Sequence, residues 1–97
     1  MKYKKIYYNG YEYTIPLKMI RIFRQILGVS QGELGKELGL TREAISNWEF
    51  GWTDYNYKIQ TWYLKKGLIT FIHAFDELLE TCNLRSLYFE EGSCVQD

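Results

Sequence analysis

From residue 17 onward, apolar residues recur at intervals of three and four, the spacing that lines one face of a helix. Leu17, Ile20, Phe23, Ile26 and Leu27 give one such stripe and predict a helix over residues 17–27. Ile59, Trp62 and Tyr63 predict another over residues 56–66, capped by Thr53 or Asp54 and stopped at Gly67 after Lys65 and Lys66. A further helix over residues 69–82 carries Ile69, Ile72, Phe75, Leu79 and Cys82 on one face, widened by Phe71, Ala74 and Leu78. A band that wide predicts burial on two sides, core and partner. One continuous helix through Gly67 is the alternative. Asn83 is the expected end of this helix. Leu84 to Phe89 reads either as a last half-turn or as an added strand, and residues 90–97 read as a frayed acidic tail.

Before residue 17 the pattern changes. KKIYYNGYEYTIP has two β-rich runs around Asn9-Gly10, the strongest short hairpin signal. Tyr7, Tyr8, Tyr11, Tyr13 and Thr14 favour a pleated surface, and Pro16 ends the second strand where a helix can begin without its N–H. A lone two-stranded hairpin is marginal in water, so it must lie on the helices or pair with another chain.

Residues 30–51, SQGELGKELGLTREAISNWEFG, hold two short helices and a tight turn. Ser30 is an N-cap with Glu33 at the capping-box position. Leu34 and Leu38 share a face, Gly39 supplies the permissive turn backbone, and Leu40 plugs the corner. Thr41 caps again, and Ile45 and Trp48 follow at helical spacing up to Gly51. Gly35 lets the second helix approach the first closely. The pattern is a helix-turn-helix.

Gln31, Glu33-Leu34-Gly35, Leu38-Gly39, Thr41, Ile45-Ser46 and Glu49-x-Gly51 resemble the helix-turn-helix of the Xre/Cro family of phage and bacterial repressors. The likeness continues upstream through Ile22, Arg24 and Gly28-Val29-Ser30-Gln31, and covers roughly residues 17–51, a third of the chain. It implies a mainly α fold, a five-helix, lambda-repressor-like domain, to which the residue pattern adds the N-terminal β-hairpin, outside the usual family core. One domain over residues 1–97 is expected: hairpin 1–16, helical core 17–82 with the motif at 31–50, and extension 83–97. The resemblance also implies that Arg24 pairs with Glu49, tying the first helix to the end of the second helix of the motif. Gln31 would bind a phosphate and brace that helix. Departures exist: Gly32 and Gly35 stand where the family usually has Ala, weakening that helix by about 1 kcal/mol each. Phe50 replaces the usual Asn, and the usual downstream Pro is missing.

Composition changes the picture in two ways. Aromatics make up 18 % of the chain, and nine tyrosines exceed what so small a core encloses, so part of that surface is expected to meet another chain, with surface tyrosines keeping their hydroxyls in water as the alternative. The net charge is zero, yet residues 1–27 carry plus five while the acidic groups cluster late, in Asp76, Glu77, Glu80, Glu90, Glu91 and Asp97. That polarity suits one face turned to phosphate, while the neutral total argues against strong non-specific binding. Cys82 and Cys94 form no metal spacing with the single His73, and two cysteines without a signal peptide read as reduced thiols in a cytoplasm. No apolar run approaches a membrane span. No catalytic constellation, metal set or cofactor motif appears, so an enzyme is not expected.

A helix in the major groove reads bases through its exposed N-terminal side chains. Arg42 suits guanine, Asn47 adenine and Glu43 cytosine, while Thr41 and Ser46 can bind phosphate and Ala44 lets the helix sit deep. Lys58, Trp52 and Tyr55 lie just past the motif, where the chain follows the DNA backbone; for Trp52 a core position is the alternative. The candidate DNA-binding set is therefore Gln31, Thr41, Arg42, Glu43, Ser46, Asn47 and Lys58, supported structurally by Arg24, Gly35, Gly39 and Glu49. The expected protein is a homodimeric repressor of a palindromic operator. The other reading is an interaction module or antitoxin whose helix-turn-helix meets a protein partner. The hairpin is expected to be structural or dimerising, with a wing on DNA through Lys2, Lys4 and Lys5 as its other use.

Overall fold

The structure, a computed structural model, describes residues 2–53 and 55–83. Two strands, β1 (Tyr3–Tyr8) and β2 (Tyr11–Pro16), precede five helices. These are α1 (Leu17–Ile26), α2 (Gln31–Leu38), α3 (Arg42–Glu49), α4 (Tyr57–Lys65) and α5 (Leu68–Thr81). The strands pair antiparallel, Tyr8 opposite Tyr11 and Ile6 opposite Tyr13. Asn9 and Gly10 both take positive φ (52° and 82°), as the tight turn most compatible with strand twist demands.

The hairpin lies on the helices. Ile6 and Ile15 are fully buried in the same core as Ile20 of α1, Leu34 of α2, Trp48 of α3 and Tyr63 of α4. Tyr13 leans on His73 of α5, ring centroids 5.8 Å apart. Pro16 caps α1, and the first helical N–H, that of Leu17, donates to Lys2 O (2.9 Å). A donor with no intrahelical partner is thus satisfied by the hairpin.

Ser30 and Glu33 form the reciprocal capping box at α2, with bonds of 3.0 and 2.9 Å. At the turn, Gly39 is left-handed (φ 72°), and Leu40 N–H closes back onto Gly35 O at 2.8 Å. This closure brings the turn backbone against α2. A Cβ on Gly35 would sit 2.7 Å from Leu40 O and 3.2 Å from Thr41 O. Glycine there is a condition of the tight turn rather than a weakness of the helix. At Gly32 a Cβ would meet only Ser30 Oγ, at 3.9 Å.

Three expectations change. In α1, Met19 is buried while Ile26 is 64 % exposed and Leu27 40 %. The helix is contacted by β2, α3 and α5, which shifts its inner face away from Ile26, and Leu27 lies beyond its last turn. The cap of α4 is Asn56, whose Oδ1 accepts from Ile59 N–H (3.1 Å), rather than Thr53. On α5, Leu79 is buried but Ala74, Leu78 and Cys82 are exposed, so the wide apolar band is covered on one side only. Gly67, left-handed at φ 100°, separates α4 from α5 and excludes one continuous helix. The expectations for Asp54, for the run Leu84 to Phe89, for residues 90–97 and for Cys94 lie outside the described residues. No helix among the described residues is long and apolar enough to cross a membrane.

Candidate nucleic-acid interface

The α2–turn–α3 unit fixes one helix by one end and leaves the other in water. At the fixed end, Glu49 is fully buried in the last turn of α3. Its carboxylate accepts from Arg24 Nε (2.7 Å), Arg24 Nη2 (3.1 Å), Gln31 Nε2 (3.0 Å) and the Tyr63 hydroxyl. Arg24 also donates to Val29 O (2.9 Å), and Arg21 to Glu49 O (3.2 Å). Helices α1, α2 and α4 therefore converge on one carboxylate of α3. A buried carboxylate is tolerated because its lone pairs are met by charged and neutral donors.

The same cluster governs the ionisation of its members. Burial pushes the Tyr63 hydroxyl far above the usual tyrosine range, and the neighbouring Glu49 charge and hydrogen bond push it further. Burial works against the Arg24 charge, but the hydrogen bond and charge of Glu49 outweigh it and hold the guanidinium above its ordinary pKa. Both groups keep their protons throughout the physiological range.

The C-terminus of α3 is closed as firmly. Gly51 N–H donates to Trp48 O (3.2 Å) and Trp52 N–H to Asn47 O (2.8 Å), the paired bonds of a Schellman stop around left-handed Gly51. The stop turns the following residues outward. Trp52 is 79 % exposed, which removes the core alternative for it, and Phe50, Tyr55 and Tyr57 are exposed beside it.

At the free end, the Thr41 hydroxyl oxygen accepts from Ala44 N–H (3.1 Å), leaving its hydrogen to donate. Arg42, Glu43 and Asn47 are exposed, and Ala44 and Ser46 are half-buried. Arg42 and Asn47 are thus presented by a rigid helix. Besides Thr41, two further candidate residues have internal partners. Gln31 braces α3 through Glu49, and Lys58 reaches Leu38 O at the turn (3.3 Å). His73 lies on the ring of Tyr13, and among the described residues no group of His, Cys, Asp or Glu is placed to hold a metal.

Three contacts escaped the sequence pattern. Tyr63 reads as an inward aromatic, and nothing in its spacing announces the hydroxyl on Glu49. Arg21 stacks on Phe50 (4.3 Å to the ring centroid) besides capping α3. Lys4, two residues before Ile6 and hence on its face of β1, turns inward instead of toward solvent. That alternation was its only signal.

A closely packed helix pair, braced by a buried ion pair and presenting exposed polar groups at the start of its second helix, defines a DNA-binding helix-turn-helix. Residues 20–56 match the family model described as Helix-turn-helix, HTH_3. The match supports the resemblance of this segment to the Xre/Cro, lambda-repressor-like helix-turn-helix, a class of DNA-binding regulatory domains. Comparison with curated proteins and with solved structures gave no match.

Proposed function

We propose that the protein is a sequence-specific transcription regulator that represses by occupying a palindromic operator as a homodimer, its two α3 helices about 34 Å apart. The observation that carries this reading is the division of α3, its end locked through Glu49 while Arg42, Glu43 and Asn47 stand exposed. In this reading Arg42 takes guanine O6 and N7, Asn47 adenine N6 and N7, and Glu43 a cytosine amine. Thr41 and Ser46 donate hydroxyls to phosphate. Gln31, while bracing Glu49, keeps one amide hydrogen for phosphate at the start of α2, and Lys58 keeps two ammonium hydrogens.

The test is fluorescence anisotropy on duplexes selected from a random pool, titrated at several salt concentrations. The parent is expected to select a palindrome and to lose affinity as salt rises. Arg42→Ala with Asn47→Ala is expected to lose about 1–3 kcal/mol of discrimination per base contact. A parent that selects nothing overturns the reading. A second reading, a module or antitoxin that binds a protein, is favoured by the exposed Phe50, Trp52, Tyr55 and Tyr57 and by the zero net charge. Such an aromatic interface would hold its affinity as salt rises.

A further inference from the structure

The hairpin lies outside the segment that matches the family, yet one of its side chains reaches the helix proposed to read DNA. Lys4 stands opposite Ile15 on the inner face of β1 and is only 5 % exposed. Its ammonium donates to Thr53 O (2.9 Å) and lies 4.5 Å from the ring centroid of Trp48. Trp48 is fully buried in the last turn of α3. Thr53 belongs to the segment after α3 and is itself folded back, its N–H and that of Trp52 both donating to Asn47 O. One cation therefore ties strand β1 both to α3 and to the loop that leaves it.

Stability alone gives little reason for a lysine at this position. Withdrawing an ammonium from water is unfavourable, and an apolar residue of similar volume commonly serves a core as well or better. Ile6 and Ile15 already anchor the hairpin by burial. A charge over a ring face and an N–H···O bond add what apolar contact lacks: a fixed direction for the loop and for the turn beneath it.

We infer that Lys4 is a positioning residue for DNA recognition, holding the end of α3 and the adjoining residues 50–53 where Arg42 and Asn47 meet base edges. The inference rests on the DNA-binding reading above. The ammonium is directed inward, and its contacts with Trp48 and Thr53 are the ones that reach α3 and the loop leaving it.

The full chain carrying Lys4→Met keeps the aliphatic stem and loses the charge. On the duplex selected by the parent, anisotropy is expected to show roughly tenfold weaker binding. Discrimination against a scrambled duplex is expected to shrink, with an unchanged dependence on salt. A salt slope shallower by about one unit would place Lys4 on phosphate instead and overturn the inference. Parent-like affinity and discrimination, whatever happens to thermal stability, would also overturn it. Should Lys4→Met not fold, the parent decides by its ¹⁵N-labelled lysine ammonium spectrum. A slowly exchanging Lys4 signal, present in the free protein and unmoved by DNA, is expected. Absence of that signal, or coupling of it to ³¹P, refutes the inference. A parent that selects no sequence removes the DNA reading itself, whereas a selecting parent with an indifferent Lys4→Met removes only this inference.

Discussion

The two ends of α3 are eight residues of one helix in opposite environments. Glu49 at its C-terminal end has no exposed surface and receives donors from three other helices. Arg42, Glu43 and Asn47 toward the other end face water. The difference separates two tasks that compete when one surface performs both. Rigidity comes from a buried, fully partnered charge, while recognition needs polar groups left without internal partners. A reading helix is useful only if its orientation is fixed elsewhere, and here it is fixed about two turns away from the bases it would meet.

The sharpest way to break this division is to remove the buried carboxylate. Glu49→Ala leaves Arg24 charged and unpaired in the interior and is expected to cost about 3–5 kcal/mol in chemical denaturation. Arg42→Ala at the opposite end is expected to stay within about 0.5 kcal/mol of the parent in the same experiment, while under the proposed function it is expected to alter DNA preference. Equal losses at both ends would dissolve the distinction.

Next in size is Gly35→Ala. The added methyl meets backbone oxygens of the turn, which cannot rotate away, so a loss of about 1–3 kcal/mol is expected by thermal unfolding. The usual gain of Gly→Ala within a helix is thereby reversed.

The fixed end also carries a signature in pH. Tyr63 has its folded pKa raised well above the ordinary tyrosine value by burial and by Glu49, so the folded state holds a proton that the unfolded chain releases. Its contribution is complete below about pH 10 and is lost as the pH climbs toward the folded value, at about 1.4 kcal/mol per unit. Denaturation at successive alkaline pH values is expected to show a steeper fall for the parent than for Tyr63→Phe. Parallel curves would mean that the hydroxyl is not held in its neutral form by the fold.

The smallest expected effect lies on the exposed side of α2. Gly32→Ala meets only Ser30 Oγ at ordinary van der Waals distance and is expected to stabilise by about 0.5 kcal/mol through the unfolded state, read as a shift in denaturation midpoint. Gly32 and Gly35 are three residues apart in one helix, and the same substitution is expected to act with opposite sign.

Much of the architecture was legible from local rules. Asn9-Gly10, Ser30 with Glu33, Gly39 and Thr41 each act through their own backbone or that of a residue within three or four positions. The hairpin, the capping box and the turn therefore follow from neighbours in sequence. The pairing of Arg24 with Glu49 was available through the family resemblance, although 25 residues separate them. The inner faces were less legible. A stripe at threes and fours placed Ile26 inside, but β2, α3 and α5 contact α1 from directions that a single helix cannot encode, and Met19 is enclosed instead. Among the proposed contacts, Arg42 and Asn47 were found by motif position. The brace from Gln31 to α3 was implied by the resemblance, whereas the bond of Lys58 to Leu38 O was foretold by no spacing.

The sequence by itself determined the order of elements, their caps and turns, and the helix-turn-helix, because each depends on interactions within a turn or two of chain. Tertiary structure alone decided which polar groups would be shut inside. Tyr63 meets Glu49 across 14 residues, and Lys4 meets Thr53 across 49. Such pairs form because a buried charge must find donors or acceptors wherever the packed elements happen to offer them. What is offered is known only when hairpin and helices have come together.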